Sequence, residues 1–362
     1  MNIDAVAPEQ YQQQLAEKAE QMKSLFGPFS PPELEVFPSP PSHYRQRAEF
    51  RVWHEGDDIF YAMFEPGDKR RPIRLDSCPM VSERIEQTMF ELLELIKPQP
   101  CLRKRLFQID FLSTLSGELL VTLLYHRPLE QDWIDAATEL QQQLSVEIIG
   151  RSRKQKLVLD HDWVVERLPL DGVALEYQQV ENSFTQPNAA INIEMLNWAR
   201  DVTQQAGGDL LELYCGNGNF TLALSDRFDR VLATEIAKVS VNSAHFNLER
   251  NGIDNVTIAR LSSEEFTQAI NKVRPFRRLR EVDLDSYDFS TVLVDPPRAG
   301  LDDGTRTLVQ GYQAILYISC NPETLVRDLK QLTQTHRIAR LALFDQFPYT
   351  HHKESGVFLV RR

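Results

Sequence analysis

The chain has 362 residues, of which 42% are hydrophobic and 25% charged, enough to bury a sizeable core and to divide into two domains. Its formal net charge of −12 argues against nucleic acid as a partner on bulk charge alone. No apolar run reaches the roughly 20 residues that span a bilayer, and the N-terminus lacks the basic start and apolar core of a secretion signal. A cytoplasmic protein with no membrane association and no evident obligate protein partner is the expectation.

In chain order, apolar side chains at Tyr11, Leu15, Ala19, Met22 and Leu25 recur every three to four residues and predict an amphipathic helix over 8–25, stopped by Gly27-Pro28. A Pro-rich connector, 28–41, follows. From 44 to 163 the chain offers short alternating runs at 50–54, 59–64, 119–125 and 157–159, with helical stretches at 81–96 and 129–144. These predict an α+β domain on an antiparallel sheet. The same region concentrates basic residues: Arg45, Arg47, Arg51, Lys69, Arg70, Arg71 and Arg74 in one stretch, Arg151, Arg153, Lys154 and Lys156 in another. Arg45, Arg47 and Arg51 alternate and are expected to project from one strand face as a phosphate-contacting surface. A mixed, solvated surface is the competing reading, since acidic residues are interspersed.

Beyond about residue 175, strands and helices alternate, with strands at 210–214, 231–235, 256–259, 291–295 and 315–319. That grammar predicts βαβ units and a doubly wound α/β sheet. The last two strands, 341–347 and 356–361, are too close in sequence for a helical crossover and must be antiparallel to each other. A parallel sheet with one reversed strand at its end is the pattern of class I, Rossmann-like methyltransferases rather than of dehydrogenases. The expected division is 1–178, an N-terminal helix and α+β RNA-recognition domain, and 179–362, a catalytic domain.

Several residues carry chemistry. Leu213-Tyr214-Cys215-Gly216-Asn217-Gly218 is a glycine turn between strand and helix, and Glu235 follows Gly216 by about 19 residues, a spacing at which a carboxylate reaches a ribose. Without the third glycine of a dinucleotide fingerprint, and with acidic neighbours Glu212 and Glu235, the turn suits S-adenosylmethionine, a cation with no pyrophosphate. Asp295-Pro296-Pro297-Arg298 ends a strand expected beside the glycine turn. Ile315–Ser319 runs into Cys320-Asn321-Pro322, which sets a thiol at a strand's carboxyl edge, and Glu354 supplies a base from further along the chain. The four cysteines lie far apart with no Cys-x-x-Cys pair, which argues against a zinc ribbon and against a cysteine-ligated iron-sulfur cluster, and no metal is expected.

Gly216-x-Gly218, Glu235, Asp295-Pro296-Pro297-Arg298, Ser319-Cys320-Asn321-Pro322 and His352-x-Glu354 together resemble the RNA uracil-5-methyltransferase family. The stretches 44–51, 181–188 and 345–352 are similar to its tRNA-modifying members, and the likeness runs over nearly the whole chain. The resemblance implies methylation of the T-loop uridine of tRNA, with tmRNA as a further substrate. It implies S-adenosylmethionine contacts at Gln186, Tyr214, Asn219, Glu235 and Asp295, Cys320 as nucleophile and Glu354 as proton acceptor. Arg298 is a candidate either to tune Cys320 or to hold the uracil, and Phe107 and His126 are candidates to fill the gap left by an everted base. Ribosomal-RNA methylation, amine methylation of adenine and an RNA-folding module with a vestigial site stand as alternatives.

Overall fold

The computed structural model describes residues 6–64 and 71–362. Lys69 and Arg70 of the first basic stretch lie outside the described residues. The chain divides into two compact units, one of Met1–Pro8, Pro40–Arg167 and Gln179–Ala189, the other of Glu9–Ser39, Leu168–Gln178 and Ala190–Arg362.

Helix α1 (Tyr11–Phe26) belongs to the second unit, not to the RNA-recognition domain expected over 1–178. The reason is its apolar face: Ala19, Met22 and Phe26 are buried in one core with Leu325, Leu329 and Leu343. The connector after it hides a strand, β1 (Leu34–Phe37), with prolines on both sides.

The first unit then builds one sheet from β2 (Arg47–Glu55), β3 (Asp58–Met63), β4 (Ile73–Arg74), β5 (Leu106–Ser113), β6 (Leu119–Tyr125), β7 (Glu147–Ser152) and β8 (Gln155–Val158), in the order β4-β3-β2-β5-β6-β7-β8. Helices α2 (Glu83–Ile96), α3 (Pro100–Arg103) and α4 (Gln131–Leu144) complete it. Strand β2 shows the period of two: Ala48, Phe50 and Val52 are buried while Glu49 and Arg51 are exposed. The sheet is antiparallel except between β6 and β7, which pair in parallel because α4 intervenes as a crossover. Ser82 caps α2, its hydroxyl accepting from the Ile85 N–H at 3.3 Å.

A hairpin, β9 (Trp163–Leu170) and β10 (Val173–Val180), contributes to both units. The second unit continues with α5 (Ala189–Val202), β11 (Asp209–Leu213), α6 (Asn219–Leu224), β12 (Val231–Thr234), α7 (Lys238–Arg250), β13 (Val256–Ala259), α8 (Ser263–Ile270) and β14 (Phe289–Val294). It closes with α9 (Asp303–Val309), β15 (Ala314–Ser319), α10 (Pro322–Leu332), β16 (His336–Phe344) and β17 (Glu354–Arg361). Its sheet runs β1-β16-β17-β15-β14-β11-β12-β13. Every neighbouring pair is parallel except those of β17, which runs against both β15 and β16. This is the expected class I methyltransferase sheet. The reversed strand is last in sequence but interior in space, and β1 forms the outer edge. No described helix is long and apolar enough to cross a membrane.

Where β17 crosses the sheet, Gly356 leaves room for aromatic rings. A Cβ there would stand 2.8 Å from the Trp198 ring and 2.9 Å from the Phe344 ring. Gly356→Ala is therefore expected to destabilise the protein by about 1–3 kcal/mol, through overpacking of a filled core. Calorimetric unfolding with no fall in midpoint would contradict this packing.

Candidate active site

A strand that runs opposite to its neighbours begins where they end. The carboxyl edge of β15 and the amino end of β17 therefore coincide, and the register pairs Ser319 with Ser355. The next residue on one strand is Cys320 and the preceding one on the other is Glu354, so the thiol and the carboxyl group emerge side by side. Cys320 is half-buried and Glu354 only 4% exposed. On the other flank, Val294 pairs with Tyr317, which carries Asp295 to the same edge. The Cys320 turn is latched to the Asp-Pro-Pro loop: the Asn321 side-chain amide donates to Arg298 O at 2.9 Å and the Thr324 hydroxyl to the same oxygen at 3.2 Å.

These groups share an unfavourable charge environment. Burial pushes the Cys320 thiol up to about 11, with the carboxyl groups of Glu354 and Asp295 adding to the shift and Arg298 opposing it. Glu354 is held well above the usual carboxylate range by burial and then by Asp295. Asp295 itself is pushed up to about 7 by burial. Beneath the glycine turn, burial raises Glu212 to about 8, although the Thr221 hydroxyl donates to it at 2.6 Å. Acids concentrated in this way favour a cationic guest, because a positive charge relieves every one of these shifts.

The glycine turn follows β11. Leu213 pairs with Thr234 of β12 and with Val294 of β14, so Tyr214, Glu235 and Asp295 all leave the same sheet edge. Tyr214 has φ +65° and Gly216 φ +58°, and a Cβ on Gly216 would meet nothing within 4 Å, as a ligand cradle requires. The Glu235 carboxylate closes the turn, accepting from Gly216 N–H at 3.0 Å and Ala237 N–H at 2.7 Å. Asn219 opens α6, and its amide exchanges two 2.9 Å hydrogen bonds with Asn192 of α5. The Tyr214 hydroxyl donates to Ser263 at 2.6 Å.

Some features of this crevice escaped the sequence reading. Asn192 orients Asn219, and Asn247 donates to Asn217 O at 2.9 Å, bracing the turn from α7. Ile236, beside Glu235, is 60% exposed, an apolar surface next to the carboxylate. Polar helix residues of this kind carry no motif, and exposure of a lone isoleucine has no sequence signature.

Gln186 belongs to the first unit, in the turn after β10. The same unit carries Phe107 on β5 and His126 just beyond β6, whose rings stack at 3.8 Å between centroids and 10° between planes. The Arg51 guanidinium lies 5.9 Å from the Phe107 centroid. The three expected arginines do not form a uniform face. Arg45 precedes β2, is half-buried and donates to Arg47 O at 2.7 Å. Arg47 donates to Ser183 O, and Glu49 stands between Arg47 and Arg51 on the same strand face. In the second basic stretch, Arg151 and Lys156 are both paired with Glu181, at 2.5 and 3.0 Å. Glu147, Asp160 and His161 bring three possible metal donors together in the first unit, as a partly exposed ion-pair group.

The family described as tRNA (Uracil-5-)-methyltransferase matches residues 10–362. The chain is 58% identical to the tRNA/tmRNA (uracil-C(5))-methyltransferase of Shewanella loihica over 366 aligned positions, covering 100% of both proteins. It is 57% identical to the protein of the same name from Vibrio parahaemolyticus, covering 99% of this chain and 98% of the relative. Among solved structures, the Pyrococcus abyssi tRNA (uracil-54, C5)-methyltransferase in complex with S-adenosyl-L-homocysteine shares the fold. Its TM-score is 0.72 at 23% identity, covering 97% of this chain and 83% of that one. The chain belongs to the tRNA (uracil-5-)-methyltransferase family.

The thiol environment has a measurable consequence. In the free protein, alkylation of Cys320 by iodoacetamide, followed on its own peptide by mass spectrometry, should accelerate about tenfold per pH unit between pH 7 and 9, because only the thiolate reacts. Arg298→Ala should slow it further. A plateau at or below pH 8 would show that the thiol is not held up.

Proposed function

We infer that this protein transfers the methyl group of S-adenosylmethionine to C5 of the T-loop uridine of tRNA, and of the corresponding uridine in tmRNA, in the cytoplasm. The observation that carries the mechanism is the register of β15 and β17, which pairs Ser319 with Ser355 and so brings Cys320 and Glu354 to one sheet edge, in a chain of this family.

Uracil C5 is a weak nucleophile until C6 is substituted. In the proposed sequence the Cys320 sulfur, as thiolate, bonds to C6 and pushes the ring electron pair onto C5 and O4. When bound, S-adenosylmethionine supplies an electrophilic methyl group and the positive charge that the acidic crevice lacks. The crevice fits it: Gly216 leaves open space, Glu235 offers a carboxylate beside it, and Asp295 and Glu354 set negative potential at the same edge. Tyr214 and Asn219 are the further contacts proposed from the second unit.

Once C5 is methylated, Glu354 takes the C5 proton. The freed electron pair re-forms the C5–C6 double bond and the Cys320 sulfur leaves as thiolate, so the enzyme is regenerated. A carboxylate held above its ordinary range is a stronger base for this step. Arg298, the cation opposing the thiol's shift, would favour the thiolate or, alternatively, the enolate oxygen. In the first unit, the stacked Phe107 and His126 rings offer a platform for unstacked loop bases, and Arg51 a phosphate contact.

Three outcomes test this reading. Transcripts of tRNA carrying 5-fluorouridine should form a covalent complex with the wild type, stable to denaturing electrophoresis, and none with Cys320→Ala; an adduct retained by that variant would refute the nucleophile. Glu354→Gln should slow turnover about 10²–10⁴-fold and accumulate adduct on ordinary tRNA. Finally, Arg51→Glu should weaken tRNA binding and flatten its dependence on salt concentration by about one phosphate contact; an unchanged slope in filter binding would remove Arg51 from the RNA surface.

A further inference from the structure

We propose that helix α1 aims the base: Lys18 is a positioning residue for removal of the C5 proton. The inference rests on the reading of Glu354 as that base. Phe344 and Glu354 are register partners at the end of β16 and the start of β17, and the connection 345–353 closes the corner between them. Whatever holds that connection holds the backbone from which the Glu354 side chain starts.

One face of α1 grips the connection. The Lys18 ammonium lies 2.6 Å from Asp345 Oδ1 and donates to Phe347 O at 2.8 Å. One turn earlier, the Gln14 amide donates to Asp345 Oδ2 at 3.0 Å, and its oxygen accepts from Tyr349 N–H at 3.3 Å. The Tyr11 ring meets the Tyr349 ring edge-on at 6.0 Å. Tyr11, Gln14 and Lys18 follow the i, i+3, i+7 spacing of a single helix face. On the far side, Asp345 N–H donates to Phe37 O of β1 at 3.0 Å, so the corner is clamped from two N-terminal elements.

Two features separate this clamp from ordinary helix docking. Lys18 is 4% exposed and Asp345 1%, and burying two charges is costly where apolar side chains would serve. Leu15, Ala19, Met22 and Phe26 already bury α1, so adhesion does not require the pair. The connection also holds a conformation it would not choose alone, with Tyr349 at φ +58°. An ion pair sealed from water, with its remaining bonds aimed at Phe347 O and Gln14, specifies that conformation.

Tritium at C5 of the target uridine reports proton removal by its release to water, and trapping by 5-fluorouridine tRNA reports the steps before it. Lys18→Met should leave trapping within about twofold of wild type and slow tritium release about tenfold or more, since small misplacements of a reacting group are costly. The double variant Lys18→Met/Asp345→Asn leaves no lone buried charge and serves the same test should the single one not fold. Release at the wild-type rate, or trapping and release slowed alike, overturns the inference. Glu354→Gln is the control. If it releases tritium normally, the base assignment falls and this inference with it; if it is slow while the folded Lys18 variant is normal, the positioning inference falls alone.

Discussion

The site depends on one reversal of strand direction. In a wholly parallel sheet, all residues at the carboxyl edge come from strand ends, and each is followed by a loop into the next helix. Because β17 runs the other way, its first residue arrives at that edge with a strand behind it. Glu354 is thus rooted in a strand paired on both sides and buried on both faces, while Cys320 sits at the turn into α10. Under the proposed mechanism, a nucleophile at a turn and a base at a strand start would suit a reaction in which sulfur must arrive and depart but the proton acceptor stays put.

Much of this arrangement is legible in the sequence. The short spacing between the last two strands requires them to be antiparallel, and the run 315–319 ending in Cys320 matches β15 closely. Asp295 lies beside the glycine turn, as strand order in a doubly wound sheet demands. What remained illegible has physical causes. Strand β1 is short and flanked by prolines, so nothing local marks it; its pairing is bought by β16, distant in sequence. The periodicity of α1 announces a buried face but cannot say which core receives it. The alternation of Arg45, Arg47 and Arg51 shows side-chain direction only if all three occupy one strand, and Arg45 does not.

The crevice also sets the electrostatics of the thiol. With Asp295, Glu354 and Glu212 all held above their ordinary ranges, the free site resists forming a thiolate. A cation entering the crevice would lower that resistance. Cys215 and Cys78 are also raised by burial, Glu212 and Glu235 adding to the shift at Cys215 and Arg45 opposing it at Cys78.

A chain with net charge −12 that acts on RNA must draw affinity from somewhere other than a broad positive field. The first unit supplies two clues. Arg151 and Lys156 are paired with Glu181, and Glu49 interrupts the β2 arginines. The same unit holds a pair of parallel rings, Phe107 and His126, with Arg51 alongside. Stacking tolerates an acidic background because it does not depend on long-range attraction, and each base stacked on an aromatic side chain contributes about 1–3 kcal/mol. Recognition weighted towards unstacked bases favours loops over helices, and among loops those whose bases are easily turned outward. A net charge of −12 works against adhesion to arbitrary RNA, because that adhesion is largely electrostatic.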